Sequence, residues 1–368
     1  MGTFTSLELG GRKIYESTNS FYYDLVKILF SEQDLIKEMM IGEDYYSFFG
    51  FKQNVKNCLD RLGIIGVNDS KAEEAFILAK DRLSVVEFEH FNISYEEYKD
   101  AIRKIIKTNY QADGSFYLSI YDDLADNLTM PNYNISYALY TILKIIGDDK
   151  IVTYDLTDIV NSGWVTETEI YSSLPEKILL LTEGKTDTEF IQHSLKRLYP
   201  HLIDHYQFLN FDEYKPDANA SYLAKFIISL SAANFKHPII AIFDNDTTGI
   251  SEMRRLEKIK LGDNMRVLHY PDLKLARNYP TIGPTGFHEF DINGYACSIE
   301  LYFGERILGS TGQLVPVTWN GYNEKEKKYQ GEITNKSLIQ KLFRDHTQMG
   351  YDCGDMDLIL KTIFTAYH

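Results

Sequence analysis

Two stretches constrain this chain more than any other feature. The first is Lys177-Ile-Leu-Leu-Leu-Thr-Glu183-Gly184-Lys185-Thr-Asp187, and the second is Pro238-Ile-Ile-Ala-Ile-Phe-Asp244-Asn-Asp246-Thr-Thr-Gly249. Each starts as a short continuous apolar run, the pattern of a strand buried on both faces of a parallel sheet. Each then breaks into carboxylates and a glycine, where a strand should turn into a helix. Open α/β sheets bind ligands at the carboxyl ends of their strands. Neighbouring strands would therefore bring Glu183, Asp187, Asp244 and Asp246 to one rim. Carboxylates gathered at one edge repel one another unless a cation sits among them, and an all-oxygen donor set suits Mg²⁺ or Mn²⁺.

The period-two spacing of Asp244 and Asp246 puts both carboxylates on one side of an extended segment. Asp187 falls one turn beyond Glu183, and Gly184 lets a phosphate approach the backbone closely. A capped helix start would also account for Asp and Thr here. The ordered combination is more specific than either half: apolar strand, Glu-Gly-x-x-Asp, a βαβ length, apolar strand, Asp-x-Asp-x-x-Gly. In this combination the chain resembles the Toprim domain, the metal-binding α/β unit of topoisomerases, bacterial primases and OLD-family nucleases. The resemblance covers roughly residues 175–305. It implies a Rossmann-like parallel sheet with Glu183 as a metal ligand or general acid/base at the scissile phosphate. OLD nucleases also carry a Ser-x-Glu after the Asp-x-Asp, and Ser298-Ile-Glu300 sits at a suitable distance. Two readings of it stay open. As a ligand, Glu300 completes a second metal position, with two cations about 3.5–4 Å apart; as an ordinary helix start, it leaves a single ion.

The net charge of −15 is awkward for a chain that handles phosphates, but it is unevenly spread. Residues 1–170 carry about −12 of it and residues 171–368 about −3. The acidic first part is thus unsuited to be the main phosphate-binding surface. Cys58, Cys297 and Cys353 are far apart and not at zinc spacing. No apolar run reaches membrane-spanning length and no signal segment opens the chain, so the expectation is a cytoplasmic protein with no membrane partner. Met1-Gly2 with Ser6 fits a loose myristoylation pattern but lacks a polybasic neighbour.

At 368 residues the length suits two or three domains. Alternation in residues 3–15, broken at Gly10-Gly11, reads as a β-hairpin. Helical spacing follows over Tyr22–Met40, from Phe51 to Gly63, from Ser70 to Arg82, from Ser94 to Tyr110, from Tyr133 to Ile146 and from Thr153 to Gly163. The expected first domain, 1–170, is therefore mainly helical with a short hairpin, its many Tyr and Phe packed in a core. Its opening Met-Gly-Thr-Phe-Thr-Ser-Leu-Glu-Leu-Gly-Gly and its Val55-Lys-Asn-Cys-Leu-Asp-Arg-Leu-Gly63 are similar to the HEPN/Toprim-associated N-terminal domain. That domain precedes Toprim or HEPN modules in bacterial proteins thought to act in conflicts with phage. Glu167–Pro175 reads as a polar link.

The second domain, 171–305, alternates: strand 177–182, helix 187–198, strand 206–209, helix 219–233, strand 238–243, helix 249–260, strand 265–270. Such alternation implies a parallel sheet, giving an α/β fold. After Pro271 the chain reads as irregular up to Tyr295, and Ser298 opens a final helix. Residues 306–368 read as an α+β extension on that domain, with a strand at Gln313–Trp319, a charged turn at Asn323–Lys328, and helices near Ser337–Arg344 and Met356–Ala366.

A nuclease needs cations on the phosphate. Lys185, Lys274, Arg277 and Lys336 are the candidates, with Gly184 as the backbone contact. Lys336 lies in Tyr329-Gln-Gly-Glu-Ile-Thr-Asn-Lys336. The basic run Arg254-Arg-Leu-Glu-Lys-Ile-Lys260 could track a backbone or be a solvated helix face. His288, Glu289 and Asp291 read as loop residues. No arginine precedes a histidine at HEPN ribonuclease spacing; Arg82 to His90 and Arg197 to His205 are too wide. A GxxxxGK[ST] loop is absent as well, and there is no cysteine cluster for a primase. The resulting expectation is a nuclease dependent on one or two Mg²⁺ or Mn²⁺ ions, acting on DNA or RNA (tRNA among the candidates), of antiphage or toxin type. Glu183, Asp244, Asp246 and Lys336 would be catalytic, with Glu183, Asp187, Asp244, Asp246 and Glu300 as ligands. The acidic first domain would meet a protein partner or self-assemble. The competing expectation is a non-catalytic scaffold.

Overall fold

The computed structural model describes residues 2–19, 28–42, 45–83, 89–112, 119–125, 128–172, 177–214 and 217–368. They form two compact units, Met1–Glu176 with His368, and Lys177–Tyr367. Helices and sheets are mixed throughout, and one sheet is parallel.

In the first unit, β1 (Phe4–Leu9) and β2 (Arg12–Thr18) make the expected hairpin. Gly10 and Gly11 both hold positive φ, +56° and +85°, a region that residues with a Cβ rarely adopt. The hairpin is part of a larger antiparallel sheet. With β3 (Leu35–Met39), β4 (Tyr46–Asn54) and β5 (Ile151–Asp155) it forms a five-stranded sheet ordered β2-β1-β5-β4-β3. This corrects the mainly helical expectation in three places. Leu35–Met39 is a strand within the stretch read as helical from Tyr22, of which 22–27 lie outside the described residues. Phe51–Asn54 ends a strand, and the helix α1 begins only at Val55 (Val55–Ile64). Ile151–Asp155 is a strand before the short helix that opens at Thr157. Cross-strand pairing overrode local periodicity, because β5 slots between β1 and β4 from far along the chain.

Helices α2 (Asp69–Lys80), α3 (Tyr95–Thr108), α4 (Ile120–Ala125) and α5 (Ile135–Ile146) complete this unit. Many of the aromatic residues are core, as expected, although Phe4, Tyr45 and Trp164 are exposed. Phe76 contacts the rings of Tyr95, Tyr98 and Tyr133. Arg61, 1% exposed, is buried beside Asp34 and also donates to Leu29 O at 2.7 Å. Two short helices follow, α6 (Thr157–Asn161) and α7 (Glu167–Ser172). The polar link is thus helical up to Ser172, and 173–175 lie outside the described residues.

The second unit is built on a parallel sheet ordered β10-β8-β6-β7, with β6 (Ile178–Leu181), β7 (Tyr206–Phe208), β8 (Ile239–Phe243) and β10 (Met265–His269). All five residues of β8 are buried, as a central strand covered on both faces requires. Helix α8 (Lys185–Leu198) leads from β6 to β7; α9 (Phe211–Tyr214) and α10 (Ala220–Ala232) lead from β7 to β8. Past β8, the two-residue β9 (Asn245–Asp246) runs into α11 (Thr247–Leu256), which is shorter than expected.

The stretch after Pro271 is more ordered than it reads. It forms the hairpin β11 (Tyr279–Gly283) and β12 (Gly286–Phe290), then β13 (Ala296–Cys297), which pairs antiparallel with β9. A 3-10 turn at Ile299–Phe303 replaces the expected helix and is followed by α12 (Glu305–Leu308). A second hairpin, β14 (Val317–Asn323) and β15 (Lys328–Ile333), joins the first in a sheet ordered β12-β11-β14-β15. Helices α13 (Lys336–Gln348) and α14 (Met356–Phe364) close the unit.

Candidate active site: a carboxylate rim at the parallel sheet

The carboxyl ends of β6 and β8, adjacent strands, carry the first and third acidic residues. Glu183 lies just past β6, and its Oε1 accepts the Asp244 backbone N–H at 2.9 Å. Asp244 follows β8 directly. Gly249, in the first turn of α11, is what allows this closeness. A Cβ there would stand 2.4 Å from Asp244 O and 3.1 Å from Glu183 Oε1.

Asp187 sits in the first turn of α8, whose N-cap is Gly184 with no side-chain cap. Glu183 therefore does not cap that helix. Asp187 Oδ1 accepts from the Tyr270 hydroxyl at 3.0 Å, from the end of β10. Asp246 does have a structural task. It is the N-cap of α11, with Oδ1 accepting the Gly249 N–H at 2.7 Å, while Oδ2 accepts from Gln330 Nε2 at 2.6 Å. Glu300, 3% exposed, accepts from Ser298 Oγ at 2.6 Å and from Gln340 Nε2 at 2.7 Å.

Electrostatics shows how tightly these groups share one environment. Burial, then the charge of Asp246, pushes the Glu183 carboxyl up to about 8, against the opposing Asp244 N–H. Burial and Glu300 raise Asp187 to about 6, with the Tyr270 hydroxyl opposing. Asp244 is raised well above the ordinary carboxylate range, by burial first and then by Glu183, Asp187, Asp246 and Glu300. Asp246 is raised by burial, with the Gly249 N–H and Gln330 opposing. Lys336, at the start of α13, joins the same cluster. Burial works against its charge, but Glu300, Glu332 and Asp244 outweigh that and hold its ammonium above the ordinary value. Its Nζ is 3.0 Å from Glu332 Oε1.

Among the described residues, no three His, Cys, Asp or Glu side chains stand together as a ready-made metal cage. Protein donors hold most of the oxygens instead. One exception bears on what fits here: Asp244 Oδ1 is buried and has no hydrogen-bond partner among the described residues. A buried carboxylate oxygen left unpaired costs free energy. A hard cation would satisfy it and relieve the mutual repulsion, and the donor set is entirely oxygen.

The other sequence candidates are spread more widely. Lys185 is the exposed first residue of α8 and lines a cavity of about 810 Å³ with Gln192 and Asn210. Lys274 and Arg277 are exposed on the 3-10 turn after β10. His288 and Glu289 lie on the exposed strand β12, where Glu289 accepts from Asn278 and His288 Nε2 meets Thr285 Oγ1 at 2.9 Å. Asp291 accepts from the Asn293 side chain and backbone. In the basic run, Arg254 pairs with Glu326 and Arg255 with Glu252. Sequence reasoning missed Tyr270, Gln330 and Gln340, which hold Asp187, Asp246 and Glu300. Gln330 stood inside the stretch that carries Lys336, and Tyr270 stood at the end of the strand expected over 265–270; Gln340 gave no signal.

No helix among the described residues is long and apolar enough to cross a membrane. No curated protein and no solved structure matches the chain. Residues 1–177 match the family model described as HEPN/Toprim N-terminal domain 1, so the N-terminal unit supports a HEPN/Toprim-associated, nuclease-related protein.

Proposed function

We propose that this chain is a Toprim-type nuclease that cleaves phosphodiester bonds of DNA or RNA with Mg²⁺ or Mn²⁺. The observation that carries the reading is the unpartnered, buried Asp244 Oδ1 amid Glu183, Asp187, Asp246 and Glu300. Those five carboxylates would hold one or two ions. A bound ion supplies a Lewis acid for the phosphate and lowers the pKa of water. The chain's own residues do the rest. Glu183 moves a proton at its carboxyl, which desolvation already holds nearer neutrality than an ordinary glutamate. Lys336 keeps its charge beside the rim and offsets negative charge gathering on the phosphate. Tyr270 and Gln330 orient Asp187 and Asp246. Lys185, Lys274 and Arg277 contact phosphates further along the strand. The cellular role is an antiphage or toxin-type effector, with the acidic first unit meeting a protein partner.

Cleavage of supercoiled plasmid and of total tRNA, each with Mg²⁺, Mn²⁺ or EDTA, tests the reading. Cutting that needs the ion and disappears in Glu183→Gln and Asp244→Asn is expected, and the substrate consumed identifies DNA or RNA. Cutting that survives EDTA and both substitutions would sink it. A second reading, a non-catalytic scaffold, is favoured by one observation: both Glu300 oxygens are engaged by protein donors. Ion binding without cutting of either substrate would favour that reading.

A further inference from the structure

The first unit holds a cavity of about 1020 Å³ beside the β1–β2 turn, lined by Arg12, Lys13 and Lys150 among others. Arg12 is its unusual member. Nη1 donates to Ile105 O at 3.3 Å and Asn109 Oδ1 at 3.0 Å; Nη2 donates to Tyr110 O at 2.9 Å and Ala125 O at 3.3 Å. Every one of these acceptors is neutral. The Nε–H is buried and has no acceptor among the described residues.

Several of those carbonyls close the ends of α3 and α4, where partial negative charge collects. They tie the guanidinium in place, but they do not supply a full counter-charge. No carboxylate among the described residues accepts from the half-buried guanidinium, and burial pulls Arg12 below its ordinary value. The surrounding wall adds positive charge. Lys150 is exposed, and its Cδ lies within 3.7 Å of where a Gly10 Cβ would be. Lys13 is exposed and paired with Glu16, the one carboxylate among the described lining residues. These cations gather within a region carrying about −12 of the net charge. The lining also has apolar members, Ile106 and Ile146 among them, and Gln111 supplies an amide.

We propose that this cavity binds a nucleotide, its phosphates on Arg12, Lys150 and Lys13 and its base against Ile106 and Ile146. The volume is larger than a lone phosphate needs and matches small-molecule pockets. An unspent guanidinium N–H suits a phosphate oxygen. The site lies in a different unit from the carboxylate rim and stands whether or not the nuclease reading does.

Calorimetric titration of the full chain with ATP, ADP, AMP, adenosine and inorganic phosphate, in EDTA, tests it. The expected result is nucleotide binding stronger than that of phosphate or adenosine alone. Lys150→Glu should weaken it by about tenfold or more, and Arg12→Gln should do likewise. Glu183→Gln should leave it unchanged, which separates this site from nucleotide held at the rim. Because Arg12 also ties helix ends, Lys150→Glu is the deciding variant where Arg12→Gln fails to fold. No binding of any nucleotide, or binding equally tight in Lys150→Glu, would overturn the proposal.

Discussion

Asp244 and Glu183 sit in an arrangement that favours binding over stability. Removing one carboxylate charge relieves its neighbours, so Asp244→Asn and Glu183→Gln should leave the metal-free melting temperature unchanged or higher. On the proposed reading both should lose cutting by a factor of about a hundred or more, since each would take out an interaction made with the reacting phosphate or its ion. Thermal melts and single-turnover cleavage check the two halves together; a lower melting temperature with activity retained would contradict both. Gly249 is the opposite case. Gly249→Ala drives a Cβ against the Asp244 carbonyl, backbone that cannot swing aside, and should cost about 1–3 kcal/mol. Urea unfolding would read that loss.

At the level of elements, the β14–β15 hairpin serves the rim as well as its own sheet. Tyr329 O accepts from Thr247 Oγ1 at 2.6 Å, and the next residue, Gln330, holds Asp246 and Thr248. The hairpin therefore fixes the start of α11. Gln330→Ala should cost about 1 kcal/mol of stability. It should lower kcat more than it raises KM, because it frees a carboxylate without touching a substrate contact. Equal loss in Gln330→Glu, which restores length but adds repulsion, is expected as well. The elements also differ in how far the sequence disclosed them. The parallel sheet was legible because Ile239–Phe243 is apolar at every position, which only a doubly covered strand tolerates. The antiparallel sheet was not, because Leu35–Met39 is partly exposed and Tyr46–Asn54 passes straight into α1, its last residue Asn54 serving as the helix N-cap with no loop between. At the rim, the grouping of Asp and Glu could be read from their strand-end positions. Their neutral partners Tyr270, Gln330 and Gln340 could not, since hydroxyl and amide side chains from separate segments carry no spacing signal.

Across the whole molecule, the rim makes stability depend on pH and, on the proposed reading, on cations. Glu183, Asp187, Asp244 and Asp246 all titrate higher in the fold than as ordinary carboxyls. The fold thus favours their neutral forms. That contribution is full at acid pH and is lost as pH rises through the folded values, about 6 for Asp187 and about 8 for Glu183. Metal-free protein should melt progressively lower between about pH 5 and pH 8. Protons compete with the ion for these oxygens, so Mn²⁺ should raise the melting temperature more at the alkaline end. The claim beneath all of this is that the rim holds a divalent cation. Calorimetric titration of Mn²⁺ into the wild-type chain and into Asp244→Asn, at the alkaline end of that range, tests it most directly. Binding of one or two ions to the wild type, weakened strongly in the variant, is the predicted result. No binding, or equal binding to both proteins, would contradict it.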